Sequence, residues 1–141
     1  PFGGDEINKI EKNNNFGWPI SSYGEKYFKN KSLEGEDYKK DHYSEGFIEP
    51  IYAFVPSIGI SEIIKLPNSF SNTWQNNFLI GSLNGKSLYR VKFDENFNKL
   101  IYSEKIFVGD RIRDILYLNN QKKIIMALEH SGSIGIISKN N

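Results

Sequence analysis

The sequence lacks several features that would have pointed to particular classes of protein. It has no cysteine, which excludes disulfide bridges and thiolate zinc sites. It has no apolar run near the roughly 20 residues of a membrane-spanning helix. Only three of its residues are arginines (Arg90, Arg111 and Arg113) and its net charge is +1, so neither nucleic acid nor an anionic membrane is expected as a partner.

What remains is the composition of a folded protein. The 141 residues are 38% hydrophobic and 14% aromatic. A chain of about 150 residues buries roughly 68–70% of the surface that it exposes when unfolded, so length alone permits an independent core. The first residues, Pro-Phe-Gly-Gly-Asp, include no initiator methionine and no signal-peptide pattern, which predicts a segment of a longer protein.

From about residue 76 onward, short alternating runs separated by turn residues predict consecutive antiparallel strands. Asn84-Gly85 supplies a hairpin turn, because both residues tolerate a positive φ. The predicted strands cover 77–83, 87–93, 99–107, 112–118, 123–129 and 133–138. Shorter candidates precede them at 5–11, 48–56 and 60–66.

The strands repeat. Residues 80–88 and 126–134 share a strand, turn and strand pattern about 46 residues apart, a period typical of β-propeller blades. We therefore predict an all-β chain with one blade at 58–107 and an incomplete last blade at 111–138. Residues 21–47 lack alternation and predict a long surface loop. Neither His42 nor His130 has a partner at metal-binding spacing, and both are predicted to be solvent-exposed.

Two short segments carry candidate chemistry. Strand alternation places Arg111 and Arg113 on one face, where they could clamp a dianionic ligand or form surface ion pairs with Asp110 and Asp114. The residues alone favour the ion pairs. Gly3-Gly4-Asp5-Glu6 places two carboxylates after a flexible turn, as a cation or polar ligand contact or as a solvated turn, and spacing alone favours the turn.

The order of several segments resembles the glucose/sorbosone dehydrogenase family, the soluble aldose sugar dehydrogenases that use pyrroloquinoline quinone (PQQ). This resemblance implies a six-bladed β-propeller, of which the chain is the C-terminal two to two-and-a-half blades of four-stranded antiparallel sheets. The segments are GGDEINKI (3–10), NFGWP (15–19), SYG (22–24), EPIY (49–52), PSI (56–58), IGSL (80–83) and RIRD (111–114).

The resemblance also implies a function and its residues. The whole protein is expected to oxidise aldose sugars at the anomeric carbon to lactones, by hydride transfer to PQQ with Ca²⁺ bound, in the periplasm and with an external electron acceptor. Arg111 and Arg113 match residues that pair with PQQ carboxylates, and Asp5 matches a supporting active-site acid. Asn84 stands where some members place a PQQ-contacting lysine, and the backbone carbonyl of Pro1 matches a calcium ligand. The family's catalytic histidine lies outside this chain, so the fragment alone is expected to be inactive.

Two departures support an alternative. Asn84 replaces the lysine of some members, and residues 59–62 read Gly-Ile-Ser-Glu where many members have Ala-Pro-Ser-Gly. Both departures favour a non-catalytic propeller that binds a sugar or protein partner on its top face. A propeller fold is compatible with either function, because a fold does not fix a function.

Overall fold

A computed structural model describes residues 2–27 and 37–139. The chain divides into two compact units, Pro1–Ile58 with Phe97–Lys99 and Gly59–Asn96 with Leu100–Asn141. The strands are β1 (Asp5–Ile7), β2 (Tyr52–Phe54), β3 (Ile60–Lys65), β4 (Phe78–Ser82), β5 (Ser87–Phe93), β6 (Leu100–Phe107), β7 (Ile112–Leu118), β8 (Lys123–Leu128) and β9 (Ser133–Ser138). Two 3₁₀ turns, Tyr43–Glu45 and Asn72–Trp74, are the only helical segments within the described ranges. None of the described segments forms a helix that could cross a membrane.

The second unit consists of two antiparallel sheets. One has four strands in the order β3-β4-β5-β6, and the other has three in the order β7-β8-β9. The strand predictions for this unit agree with the structure to within one residue at each end, and β6 lies at the edge of its sheet. The all-β class and the blade-like sheets are confirmed. The division of the chain into a blade at 58–107, a last blade at 111–138 and a loop at 21–47 stays a prediction.

The core of the second unit lies between its two sheets. Buried side chains of β4 and β5 in one sheet and of β7 and β8 in the other pack together, as in sheets that face each other. Burying one such Leu or Ile contributes about 1.5–3 kcal/mol. The buried cluster contains Leu66, Phe70, Leu79, Leu88, Ile112, Ile115, Ile124 and Met126.

A polar contact joins the two sheets where β3 and β7 begin. Ser61 Oγ donates a hydrogen bond to the carbonyl of Ile112 at 2.6 Å. Gly81 on β4 faces the same point, because a Cβ there would lie 2.8 Å from Ser61 Oγ and 3.1 Å from Ile115 Cδ1. The first residues of β3 and β7 therefore lie at the same end of the unit.

The first unit contains little regular structure. β1 and β2 form a two-stranded antiparallel sheet in which Asp5 pairs with Phe54 and Ile7 with Tyr52. The predicted strand at 48–56 is shorter in the structure because Pro50 and Pro56 have no N–H to donate. The predicted strand at 5–11 is also shorter in the structure, because β2 is its only partner in this sheet and offers three residues for pairing.

Some of the described residues of the segment 21–47 are buried. Within its described residues it forms no strand, but Ser21 and Ser22 are buried and His42 is fully enclosed. The prediction of an exposed His42 is therefore wrong, because the ring packs on Tyr23 and the carboxylates of Glu6 and Glu49 lie on either side of it. His130 is exposed, as predicted.

The outer face of the three-stranded sheet carries an apolar row. Leu116, Ile125 and Ile136 lie opposite one another across β7, β8 and β9, and Leu116 and Ile136 are 54% and 60% exposed. β9 is also an edge strand of its sheet. Exposed apolar edge strands promote association between chains.

We predict that the isolated 141-residue chain self-associates and that Ile136→Lys reduces the association, because a charge on the strand opposes pairing. Sedimentation velocity at several protein concentrations measures the effect. The control is Ile10→Lys, which places the same charge at an exposed position outside the strands. A parent chain that stays monomeric at all concentrations contradicts the prediction.

Candidate functional site

Arg111 and Arg113 converge on one carboxylate. Arg111 Nε donates to Glu129 Oε1 at 3.2 Å, and Arg113 Nη2 donates to Glu129 Oε2. Ile112, between the two arginines, is fully buried. The two guanidinium groups therefore lie on the same side of β7, as strand alternation predicts. Their side chains are 38% and 56% exposed, so both stay accessible to a ligand.

The β7–β8 hairpin places Glu129 beside the arginines. Ile112 pairs with Leu128, which puts Arg111 opposite Glu129, and the Glu129 N–H donates to the Arg111 carbonyl at 2.8 Å. Arg113, two residues further along the chain, lies at a register shift between Ile112 and Asp114, and its guanidinium group also reaches Glu129. Glu129 was not among the residues predicted from the sequence. Hairpin register was the signal that could have found it, since opposite charges facing each other across a strand pair stabilise the sheet.

The predicted ion pairs of the two arginines with Asp110 and Asp114 are wrong, because both arginines pair with Glu129. Both aspartates accept backbone N–H groups instead, Asp110 from Arg111 at 2.6 Å and Asp114 from Ile115 at 2.8 Å. Each carboxylate is thereby directed to the backbone of the residue that follows it. The two guanidinium groups consequently share Glu129.

Asp110 fixes the start of β7 to the β8–β9 turn. Its carboxylate also accepts the N–H groups of His130 at 2.9 Å and Ser131 at 3.0 Å. A hydrogen bond from the Ser131 side chain, together with these backbone N–H groups, lowers the pKa of Asp110 to about 2. The charged form of Asp110 is therefore part of what holds Arg111 next to Glu129.

We expect acid to weaken this corner of the fold. Because the folded-state pKa of Asp110 lies below its ordinary value of 3.8, its contribution is fully present above that value and is lost as the pH falls towards about 2. Asp110→Asn should be less stable than the parent at neutral pH and should lose less stability between pH 4 and pH 2. Urea unfolding at several pH values measures the difference. Glu95→Gln, which removes an exposed carboxylate of the β5–β6 turn, is the control, and an equally shallow pH dependence in that variant would contradict the assignment.

The loop that carries Asn84 lies at the same end of the second unit as the arginines. Leu83 N–H donates to the Gly59 carbonyl at 2.8 Å, and a Cβ on Gly59 would lie 3.2 Å from the Asn84 nitrogen. Ile60, which follows Gly59, pairs with Ser82, and Ser61 bonds to Ile112. The structure thus gathers Asn84, the 59–62 segment and the arginine pair at one end of two adjacent sheets.

Asp5 belongs to the first unit, where it begins β1. Its Oδ2 accepts the N–H of Ile58 at 3.0 Å, which holds the segment after β2 against the start of β1. Pro1, the predicted calcium ligand, lies outside the described residues. Within the described residues no group of three or more His, Cys, Asp or Glu side chains is arranged to hold a metal ion. The role of Asp5 and the calcium ligand both stay predictions.

A second cluster, around His42, was not expected from the sequence. The His42 ring stacks on Tyr23 with centroids 5.0 Å apart, and its two nitrogens lie 3.6 Å from Glu6 Oε1 and Glu49 Oε2. Neither ring nitrogen has a hydrogen-bond partner among the described residues. Tyr23 Oη donates to Glu49 at 2.7 Å, and this bond, with burial and nearby carboxylates, raises the pKa of Tyr23 to about 12. The irregular spacing of the four residues gave no sequence signal.

Comparison with known proteins identifies relatives. Residues 1–135 match the family model described as Glucose / Sorbosone dehydrogenase. The chain is 28% identical over 145 residues to the aldose sugar dehydrogenase YliI of Escherichia coli, covering all of this chain and 37% of that protein. It is also 28% identical over 113 residues to an uncharacterised protein of Synechocystis sp., covering 80% of this chain and 26% of that protein.

Solved structures share the fold. A glucose dehydrogenase superposes with a TM-score of 0.79 at 22% identity, covering 100% of this chain and 39% of that structure. The soluble aldose sugar dehydrogenase of Escherichia coli in its apo form superposes with a TM-score of 0.75 at 22% identity, covering 99% of this chain and 39% of that structure. The propeller architecture is thereby confirmed, and the chain spans between a quarter and two fifths of the length of these relatives.

Proposed function

The chain belongs to the glucose/sorbosone dehydrogenase family, and from this premise we propose that it forms the C-terminal part of a PQQ- and calcium-dependent aldose dehydrogenase. The proposed reaction oxidises an aldose at its anomeric carbon to the lactone, and an external acceptor then reoxidises the cofactor. The proposed location is the periplasm. The 28% identity to an aldose sugar dehydrogenase supports the substrate class.

The arginine pair is the observation that carries the proposal. Arg111 and Arg113 already hold the carboxylate of Glu129 from one side, which supports a role for the pair in binding a carboxylate. Each guanidinium has several N–H donors and uses only one of them on Glu129, so further donors are left for a ligand carboxylate. The residues present therefore fit a cofactor that carries carboxylates.

Bound PQQ would supply the hydride acceptor, and the chain's own residues would bind and orient it. Arg111 and Arg113 would fix the carboxylates, and Asp110 and Glu129 would hold the two arginines in place. Asn84, at the same end of the unit, has an amide that can donate or accept a hydrogen bond but adds no positive charge. Asp5 would support the sugar side of the site, and the base that takes the hydroxyl proton would come from outside this chain.

Reconstitution tests this proposal. The full-length protein is loaded with PQQ and Ca²⁺, and the reduction of a dye is followed with a panel of aldoses. The expected result is aldose-dependent dye reduction that requires both PQQ and Ca²⁺, while the 141-residue chain alone gives none. If the protein binds PQQ but shows no turnover with any aldose, the enzyme proposal fails.

The second candidate is a non-catalytic propeller that binds a sugar or a protein partner. The uncharged Asn84 and the changed 59–62 segment favour it. Within that segment, Ser61 bonds to Ile112 and so joins the two sheets, and Gly59 packs closely against Asn84. Binding of an aldose without any turnover would place this candidate first.

A further inference from the structure

The first unit contains a cavity that the proposed dehydrogenase function does not use. Its volume is about 300 Å³, and it lies on the side of β1 towards which Glu6 points, opposite to Asp5 in strand alternation. This volume is at the lower end of the range of about 300–1,000 Å³ for small-molecule sites. The walls include Glu6, Asn8, Phe16, Trp18, Ser21 and Ser22.

Two polar atoms in this wall lack partners. Asn8 Oδ1 and Ser21 Oγ are buried and have no hydrogen-bond partner among the described residues, and Ser21 as a whole is only 2% exposed. Asn8 Nδ2 lies 3.4 Å from Glu6 Oε2, which leaves the amide oxygen as the unmatched end. A buried polar group without a partner is unfavourable, so a ligand that supplies hydroxyl groups would recover free energy here.

The remaining walls favour an uncharged, hydroxyl-rich ring as the ligand. Trp18 is 60% exposed and Phe16 lies in the same wall, so the cavity offers aromatic surface beside its hydrogen-bonding groups. The Glu6 carboxylate disfavours phosphate and other anions, and no lysine or arginine lies among the described lining residues. A divalent cation is less suited, because Glu6 is the only carboxylate among those residues.

We propose that this cavity binds a neutral polyol of pyranose size, with hydroxyl groups bonded to Asn8 Oδ1, Ser21 Oγ and Glu6 and with a C–H face against Trp18. The site uses none of the residues assigned to PQQ. It therefore does not depend on the dehydrogenase proposal, and it holds equally for the non-catalytic alternative.

Fluorine NMR of the full-length protein, labelled with 5-fluorotryptophan and kept free of PQQ, tests the proposal. The Trp18 resonance is assigned as the one missing from Trp18→Phe. The probe is methyl α-glucoside, which cannot be oxidised to a lactone because its anomeric oxygen is methylated. We expect a saturable shift of the Trp18 resonance while that of Trp74, in the second unit, stays in place.

Ser21→Ala supplies the decisive variant, because it removes the unpartnered hydroxyl with almost no change of shape. It should weaken glycoside binding by about three- to tenfold, the value of one hydrogen bond. The matched control, Ser133→Ala, removes an exposed hydroxyl of the second unit and should leave the affinity unchanged. A thermal melt of Ser21→Ala close to that of the parent shows that folding is intact.

Three results would overturn the proposal. The first is a Trp18 resonance that does not saturate up to the solubility of the glycoside, in which case water alone satisfies Asn8 and Ser21. The second is saturable binding that Ser21→Ala leaves unchanged. The third is a Trp18 shift with Ca²⁺ but not with the glycoside, which would make the cavity a cation site.

Discussion

The double variant Arg111→Gln and Arg113→Gln should lose PQQ binding in the full-length protein. A hydrogen bond between a charged donor and acceptor contributes about 1.5–3 kcal/mol, so removing one from each arginine should lower the affinity by about 10²- to 10⁴-fold. Glutamine keeps a hydrogen-bonding side chain but has neither the charge nor the fork of a guanidinium. Titration of the protein with PQQ, followed by quenching of protein fluorescence, measures the loss.

The remaining arginine of the chain gives a matched control. Arg90 pairs with Glu104 at 2.8 Å and lies over the ring of Trp74, so Arg90→Gln removes the same charge at another place in the second unit. That variant should bind PQQ as the parent does. Arg113→Lys should give an intermediate affinity, since it keeps the charge and loses the fork. If Arg90→Gln weakens PQQ binding as much as the double variant, net charge and not the Glu129 cluster governs the affinity, and the assignment of the arginine pair is wrong.

The sheets of the second unit could be predicted from sequence because local signals agree there. The stretch 87–93 alternates in side-chain character, and Asn84-Gly85 permits the tight turn before it, so pattern and turn chemistry indicate the same hairpin. The first unit gave no such agreement. β1 and β2 are short and distant in sequence, and their pairing depends on contacts between residues about 47 positions apart, which no local pattern encodes.

In the candidate site, too, the features set within one strand could be predicted, and those set by contacts between segments could not. Alternation was sufficient to place Arg111 and Arg113 on one side, because that is a property of one strand. Glu129 required the register between two strands, and His42 required contacts among four residues with no common period. A histidine in a polar, irregular segment looks exposed in sequence, whereas its burial is decided by Tyr23 stacking on it and by the N–H groups that Glu49 accepts from His42 and Tyr43.

Gly4→Ala should strongly destabilise the first unit. Gly4 has a φ of +73°, and a Cβ there would lie 2.1 Å from the Gly24 nitrogen and 2.7 Å from the Gly24 Cα. These are backbone atoms, so no side-chain rotation relieves the overlap. Either the segment of Phe2, which bonds to Glu25, or the start of β1 must move. We expect a loss of more than about 3 kcal/mol in the free energy of unfolding, seen in urea unfolding of the full-length protein labelled with 5-fluorotryptophan and followed by the fluorine resonance of Trp18.

Gly46→Ala separates the cost of steric overlap from the cost of a left-handed backbone conformation. Gly46 lies in the same unit with a φ of +80°, but a Cβ there would meet no atom within 4 Å. Alanine at this position bears only the cost of a left-handed backbone, about 1–2 kcal/mol. The excess loss in Gly4→Ala therefore measures the close approach of the two backbone segments at Gly4 and Gly24. Equal losses in the two variants would mean that these segments move apart at little cost, and that Asp5 is not held rigidly at the start of β1.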